Sequence, residues 1–309
     1  MNKSSKRGDL PTNQPVRLYN ATCPYCGVEL GDHNTTKEHV VARRFVPVGS
    51  LHQQPNLIVN ACRDCNQRKA ELEDDLSALS MHPGVGGWRG HETEKLKAEA
   101  VRKSEKSISK TTRKPVKDSH EKFDVNLVAD GFSMKVSMTG GPQIDFDRAR
   151  DLAIMQARAF FYWFHYDQET NHGKWWLGQV FEVDQSKRND WGNVRARWFA
   201  SLIECWKTPL HFVTAEGHFK LTFKWSSEYQ ATAIAIEWNQ SYRQLFLLAE
   251  PEVIEKLATE IPQHAMRDFG SSPSGVKLRG RTEIPLDEAD DRLFDFDPSE
   301  DSDQNNQSE

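Results

Sequence analysis

The chain has 309 residues and a formal net charge of −5 at pH 7, with 37% hydrophobic and 28% charged residues. This balance is ordinary for a soluble protein and supplies enough apolar residues for a buried core. No apolar run approaches the roughly 20 residues of a membrane-spanning helix, and none follows the basic start, so the sequence predicts a cytoplasmic protein without membrane partners rather than a secreted one.

Changes in composition divide the chain into five parts, within a length that allows two domains. The expected parts are a flexible polar arm (1–20), a compact cysteine-containing unit (21–82), a basic linker (83–120), an α+β domain (121–282) and a disordered acidic tail (283–309). The linker has seven Lys or Arg and two acidic residues within 101–120, and the tail has eleven acidic residues and one basic one. Such biased segments are typical of solvated chain, although the basic one could also lie along a phosphate backbone.

The cysteine-containing unit has two apolar runs followed by a helical pattern. HVVARRF and NLIVNAC are typical of strands, and leucines then recur at helical spacing. These leucines are Leu72, Leu76 and Leu79. They predict a helix that begins near Cys65 or Asn66, and the turn-forming run HPGVGGWRG ends the unit.

The region 121–282 alternates strand and helix patterns. DVNLVADGFSMKVSM alternates around Asp130-Gly131, a dipeptide that favours a tight hairpin. Helices are predicted within 145–168, 189–206 and 250–261, with strands in WWLGQVFEV, HFVTAEGHFKLTFKW, YQATAIAIEW and RQLFLLAE. This order predicts an α+β domain with an antiparallel sheet. Its many tryptophans are typical of a core, although some could stack on unpaired bases.

Two Cys-x-x-Cys pairs frame the first unit. The pairs are Cys23/Cys26 and Cys62/Cys65, separated by 35 residues. In a reducing compartment such pairs are metal ligands or redox centres more often than structural disulfides. Two pairs can place four thiolates tetrahedrally around Zn²⁺, and the bound ion supplies folding free energy that a small unit lacks. We therefore predict a structural zinc site, with redox pairs as the alternative.

The residues beside these cysteines resemble the HNH nuclease family. The matching stretches are KEHVVARRFVP, PNLIVNAC and CRDCNQRK, which cover about residues 21–80, and their combination is specific whereas each alone would be weak. In this family a β-hairpin and a helix wrap around one divalent cation, and cysteine pairs hold a structural zinc beside it. The resemblance therefore implies an N-terminal, zinc-stabilised ββα-metal module.

The resemblance also assigns chemical roles. His39 would be the general base, since an imidazole with a pKa near 6.5 can accept a proton from water at neutral pH. Glu38 and Asn66 would provide oxygen ligands to Mg²⁺ or Mn²⁺, and Asn56 would fix the intervening loop. The chain departs from the family where Glu38 replaces the common Asp, where Asn66 replaces the common His, and where the loop after the first strand keeps one glycine, Gly49.

Basic residues near this motif are candidates for phosphate contacts. The candidates are Arg43, Arg44, Arg68 and Lys69. If Arg43 and Arg44 lie on a strand, they must point to opposite faces. Lys69 could equally be a solvated helix residue.

The resemblance implies a metal-dependent endonuclease that hydrolyses phosphodiester bonds of DNA. Double-stranded DNA is the default substrate, and single-stranded DNA and RNA stay open. The implied setting is restriction, antiviral defence or a mobile element of a bacterium or its virus. The alternative is a non-catalytic, zinc-stabilised nucleic-acid-binding or adaptor subunit of a larger complex, with the acidic tail recruiting a protein partner.

Overall fold

The computed structural model describes residues 14–86, 94–129, 132–271 and 277–296. Within these ranges twelve strands form three sheets, and six α-helices connect and cover them. The two larger sheets pair in antiparallel fashion, so the predicted mixed α+β class is confirmed. None of the helices in this part of the chain combines the length and apolarity needed to cross a membrane.

The N-terminal unit is a small sheet backed by a long helix. Its elements are β1 (Val16–Arg17), β2 (Thr35–His39), β3 (Leu57–Cys62) and α1 (Arg63–Met81). Strand β3 lies in the middle, antiparallel to β2 and parallel to β1. The predicted helix is present, although it begins at Arg63, and its three leucines are buried as the helical spacing requires.

The first strand ends earlier than HVVARRF suggested. Strand β2 covers Thr35–His39, and the residues after it form a bend and a turn. The buried Asn56 explains this end, because its Nδ2 donates to the Val41 carbonyl (2.9 Å) and its Oδ1 accepts from the Val41 amide (3.4 Å). These bonds take the place of the backbone hydrogen bonds that a longer β2 would form with β3. Arg43 and Arg44 therefore lie exposed on a turn, and the expectation that a strand separates them is wrong.

The segment expected to be a linker packs against α1. It contains α2 (Pro83–Gly86), α3 (Glu94–Lys106) and a short 3₁₀ turn (Val116–Asp118). Helix α3 buries a stripe at helical spacing, formed by Glu99, Ala100, Lys103 and Ser104. Asp75 of α1 accepts a hydrogen bond from the backbone amide of Lys110 (2.9 Å). The described part of this segment is thus folded structure rather than a solvated tether, and residues 87–93 lie outside the described residues.

The C-terminal region contains both larger sheets. The elements are β4 (His120–Ala129), β5 (Phe132–Pro142), α4 (Phe146–Phe164), β6 (Val180–Lys187), α5 (Val194–Ile203), β7 (Lys207–Thr214), β8 (Phe219–Ser226), β9 (Ala231–Trp238), β10 (Tyr242–Leu248), α6 (Pro251–Glu260), β11 (Met266–Ser271) and β12 (Lys277–Arg281). The five-stranded sheet has the order β6-β10-β9-β8-β7, and the four-stranded sheet has the order β12-β11-β4-β5. The predicted hairpin pairs through Ala129 and Phe132, while its Asp130-Gly131 tip lies outside the described residues.

One apolar core runs through the N-terminal unit and one face of the five-stranded sheet, with α4 between them. Phe45 packs edge-to-face on Trp238, with ring centroids 5.2 Å apart. Asn239 donates to the Phe45 carbonyl (3.1 Å), and Thr22 is hydrogen-bonded to Tyr162 (2.8 Å). The two expected domains therefore share a core, and the C-terminal region fixes the orientation of the N-terminal unit.

Part of the acidic tail lies on the opposite face of the five-stranded sheet. Helices α5 and α6 cover this face together with Leu293 and Phe294. Asp291 forms ion pairs with the buried Arg243, and Glu288 pairs with Arg188 (2.8 Å). The expectation of disorder is therefore wrong for the described residues up to 296, and the rest of the tail lies outside them. At the other end, β1 belongs to the sheet, while residues 1–13 of the expected arm are not described.

Candidate metal centre and active site

The four cysteines of the two pairs converge beside the start of α1. Cys62 ends β3 and Cys65 lies in the first helical turn, while Cys23 and Cys26 flank a tight turn. All four Sγ atoms lie within 4.8 Å of one another, and those of Cys26 and Cys62 are 3.7 Å apart. A tetrahedral zinc with Zn–S bonds of about 2.3 Å has sulfurs about 3.8 Å apart. The cluster therefore has the donor set and the size of a structural zinc site.

The turn between the first two cysteines depends on Gly27. Its amide donates to the Cys23 carbonyl (2.8 Å), and its φ of +76° lies in the left-handed region. A Cβ on Gly27 would lie 2.1 Å from the indole of Trp175. Backbone conformation and close packing thus both require glycine here, and they join the cysteine turn to the C-terminal region.

Full ionisation of the cysteine cluster needs a cation, although hydrogen bonds from its neighbours outweigh burial and lower the pKa of Cys62. Burial raises the pKa of the Cys23 thiol to about 12, and burial together with the Cys23 sulfur raises the pKa of Cys65 well above its ordinary range. A bound metal overcomes this penalty because thiolates are its ligands and protons leave as it binds. Metal uptake is therefore expected to weaken in acid.

A buried ion cluster lies between β2 and α1. Lys69 Nζ lies 2.7 Å from Glu38 Oε1 and 2.5 Å from Glu73 Oε1, and it donates to the His39 carbonyl (3.2 Å). Lys69 is 0% exposed, so the interpretation of this residue as a phosphate contact is wrong. Burial opposes its charge, but the two carboxylates outweigh burial and raise the pKa of Lys69. With all three groups ionised, the cluster has one net negative charge.

Two oxygen atoms beside this cluster are free for a ligand. Glu38 uses Oε1 for Lys69, and its Oε2 accepts no hydrogen bond from any residue that the structure describes. Asn66 donates from Nδ2 to Thr36 Oγ1 (3.0 Å), and its Oδ1 likewise has no partner among the described residues. Thr36 and Glu38 are two residues apart on β2, so both side chains point to the same face of the strand, toward α1. Glu38 Oε2 and Asn66 Oδ1 are thus the oxygens that could hold a hard cation.

His39 is the last residue of β2 and is half-buried. Its ring makes no hydrogen bond with any described residue. Burial lowers the pKa of His39, and the nearby cations of Arg43, Lys37 and Lys69 lower it further. The neutral imidazole, which is the form that accepts a proton, is therefore favoured at neutral pH.

The structure does not gather His39 into a metal cluster of its own. Among the residues it describes, the four cysteines are the only group of three or more His, Cys, Asp or Glu at metal-binding spacing. Asn56 bonds to Val41 and fixes the turn after β2, and no bond from Asn56 to His39 is present.

The other basic candidates are all exposed. Arg43 and Arg44 lie on the turn after β2, and Arg68 pairs with Asp151 of α4 (2.7 Å). The sequence interpretation did not single out Glu73, which completes the ion cluster. Its position four residues after Lys69, with opposite charge, was the available signal, because such residues lie side by side on a helix.

Comparisons with known proteins give no match for this chain. No protein-family model matches the chain, and no curated protein or solved structure matches it either. The function of this site must therefore be inferred from its residues.

Proposed function

We propose that the chain is a metal-dependent endonuclease of the HNH type that hydrolyses phosphodiester bonds of DNA. One observation supports this most strongly. A neutral imidazole, a free carboxylate oxygen and a free amide oxygen occur on one strand–helix unit, beside a cluster of two carboxyl groups and one lysine. Two carboxylates against one ammonium give this site an excess of acidic groups, which attracts a divalent cation.

Each residue then has a defined task. Glu38 Oε2 and Asn66 Oδ1 would hold Mg²⁺ or Mn²⁺ together with phosphate oxygens of the substrate. When bound, the ion would stabilise the charge that develops on the phosphate and on the departing oxygen. His39 accepts the proton of the attacking water, and Asn56 keeps the turn after the strand in place.

The substrate and setting are part of the same proposal. Double-stranded DNA is the default, and restriction, antiviral defence or a mobile element is the expected context, by resemblance alone. The cysteine cluster would hold zinc for structure rather than for the reaction, since four thiolates leave no open coordination position.

A second candidate function is a zinc-stabilised nucleic-acid-binding or adaptor protein without catalysis. The contact between Lys69 and Glu38 favours it, because an ammonium at 2.7 Å reduces the attraction of that carboxylate for a metal ion. In this case the oxygens beside the ion cluster would bind water only.

Cleavage assays with a matched pair of histidine variants separate the two functions. The purified chain is incubated with plasmid, linear duplex, single-stranded DNA and RNA in Mg²⁺ or Mn²⁺. His39→Ala is expected to slow cleavage by about 10²–10⁴-fold, the usual contribution of a general base. His52→Ala, in an exposed loop, is the control. Zinc content should be the same in all three proteins, and equal cleavage by His39→Ala and wild type would exclude the proposed role.

A further inference from the structure

A basic groove lies beside α1, between the turn that follows β2 and helix α3. It has a volume of about 640 Å³. Its basic lining residues are Arg43, Arg44, Arg102, Lys103, Lys106 and Lys110. Its acidic lining residues are Glu71, Glu73 and Asp74. We call this feature the basic groove.

Several of these positive charges have no internal partner. Arg43, Arg44 and Lys106 are exposed, and none of them forms an ion pair with a residue that the structure describes. The other charges are partly neutralised, since Glu73 pairs with Lys69, Asp74 with Lys110 (3.6 Å) and Glu99 with Arg102 (3.5 Å). The open side of the groove therefore presents an excess of positive charge to solvent.

Helix α3 holds in place the turn that contains Arg43 and Arg44. Lys103 is buried and donates to the Arg44 carbonyl (2.6 Å) and to Ser77 Oγ of α1 (2.9 Å). Glu99, one turn earlier, accepts from the Val48 amide (2.7 Å). The two walls are thus joined by buried and partly buried hydrogen bonds, and a ligand would meet a preformed surface, which lowers the entropic cost of binding.

The basic groove adjoins the proposed active site. Glu73 lines the groove and also belongs to the ion cluster that holds Glu38. Ala42 and Arg43 line the groove and follow His39 by only three and four residues along the chain. A polyanion in the groove would therefore pass close to His39.

We propose that the basic groove binds the phosphodiester backbone of the nucleic acid and leads it to His39. The proposal rests on the proposed nuclease function and adds the binding surface, which includes α3 from the segment expected to be a tether. Arg102 and Lys106 lie four residues apart on the same side of α3, so both can contact one backbone. Such contacts are insensitive to sequence and weaken with salt, because binding releases counterions.

The test measures binding separately from cleavage. Fluorescence anisotropy would follow a labelled 20-base-pair duplex, its single strand and the matching RNA between 50 and 200 mM salt, without a divalent cation. The groove variant is Arg102→Gln/Lys106→Gln. The control is Lys256→Gln/Arg292→Gln, which also removes one lysine and one arginine charge, but from exposed positions distant in sequence from the groove.

Loss of two phosphate contacts should weaken duplex binding at least about tenfold at 100 mM salt and reduce the salt-dependence slope by about 2. The control should stay within about twofold of wild type. Equal affinity and slope for the groove variant and wild type would overturn the proposal, as would the absence of micromolar binding to any of the three nucleic acids. Failure of the nuclease assignment gives a different result: no cleavage, or no effect of His39→Ala, with the binding difference unchanged.

Discussion

Replacement of Lys69 by methionine should destabilise the protein strongly. The substitution keeps an unbranched side chain of similar length and removes the ammonium that lies 2.7 Å from Glu38 and 2.5 Å from Glu73. Both carboxylates are below 10% exposed, so water compensates only in part for the lost partner. Removal of one member of a buried ion pair costs about 3–5 kcal/mol. We expect a loss of this size in the free energy of unfolding at pH 7.

The pH dependence of this loss has a definite sign. Burial raises the pKa of Glu73 even with Lys69 present, and without the ammonium the pKa of Glu73 should rise further. Carboxyl groups whose pKa is raised by folding take up protons in the folded state first, which stabilises it as the pH falls. The difference between wild type and Lys69→Met should therefore shrink between pH 7 and pH 5.5.

Urea denaturation followed by tryptophan fluorescence would measure both effects in zinc-containing buffer. The matched control is Lys69→Met/Glu38→Gln/Glu73→Gln, which removes the unpaired charges and should recover at least about 2 kcal/mol. A loss below about 1 kcal/mol for the single variant, or no recovery in the triple variant, would show that the ion cluster is not the buried network described above.

Three further predictions concern zinc, the turn after β2 and the histidine. Cys62→Ser should abolish stoichiometric zinc and lower thermal stability, whereas Cys205→Ser, outside the cluster, should change neither; metal analysis and calorimetry would check this. Asn56→Ala should cost about 1–3 kcal/mol in urea unfolding, because the buried backbone groups of Val41 lose their partner. The pKa of His39 in an NMR titration should lie below 6.5, so cleavage should rise with pH as this group deprotonates and level off near neutrality. A pKa above 6.5, a stable zinc-free Cys62→Ser protein or a neutral Asn56→Ala would each contradict the corresponding argument.

Local sequence pattern determined many of the elements. The leucine spacing of α1 and the alternation around Asp130-Gly131 involve residues within a few positions of one another, so the pattern and the element coincide. Each cysteine pair is also local, because its two residues lie three positions apart. Only the meeting of the two pairs requires the fold. The sequence likewise indicated Glu38 and Asn66 as candidate metal ligands, but it did not show which groups contact their side chains.

Tertiary structure decided the environment of the charged residues. Composition suggested that Lys69 and Lys103 were solvated or bound to phosphate, yet both are buried because distant groups satisfy them: Glu38 for Lys69 and the Arg44 carbonyl for Lys103. The same reason applies to Asp291. The tail was expected to be disordered, yet Asp291 pairs with Arg243, which lies on the sheet 48 residues earlier in the sequence. A charge is stable inside a protein only with its partner, and the partner is chosen by the packing of the whole chain rather than by neighbouring sequence.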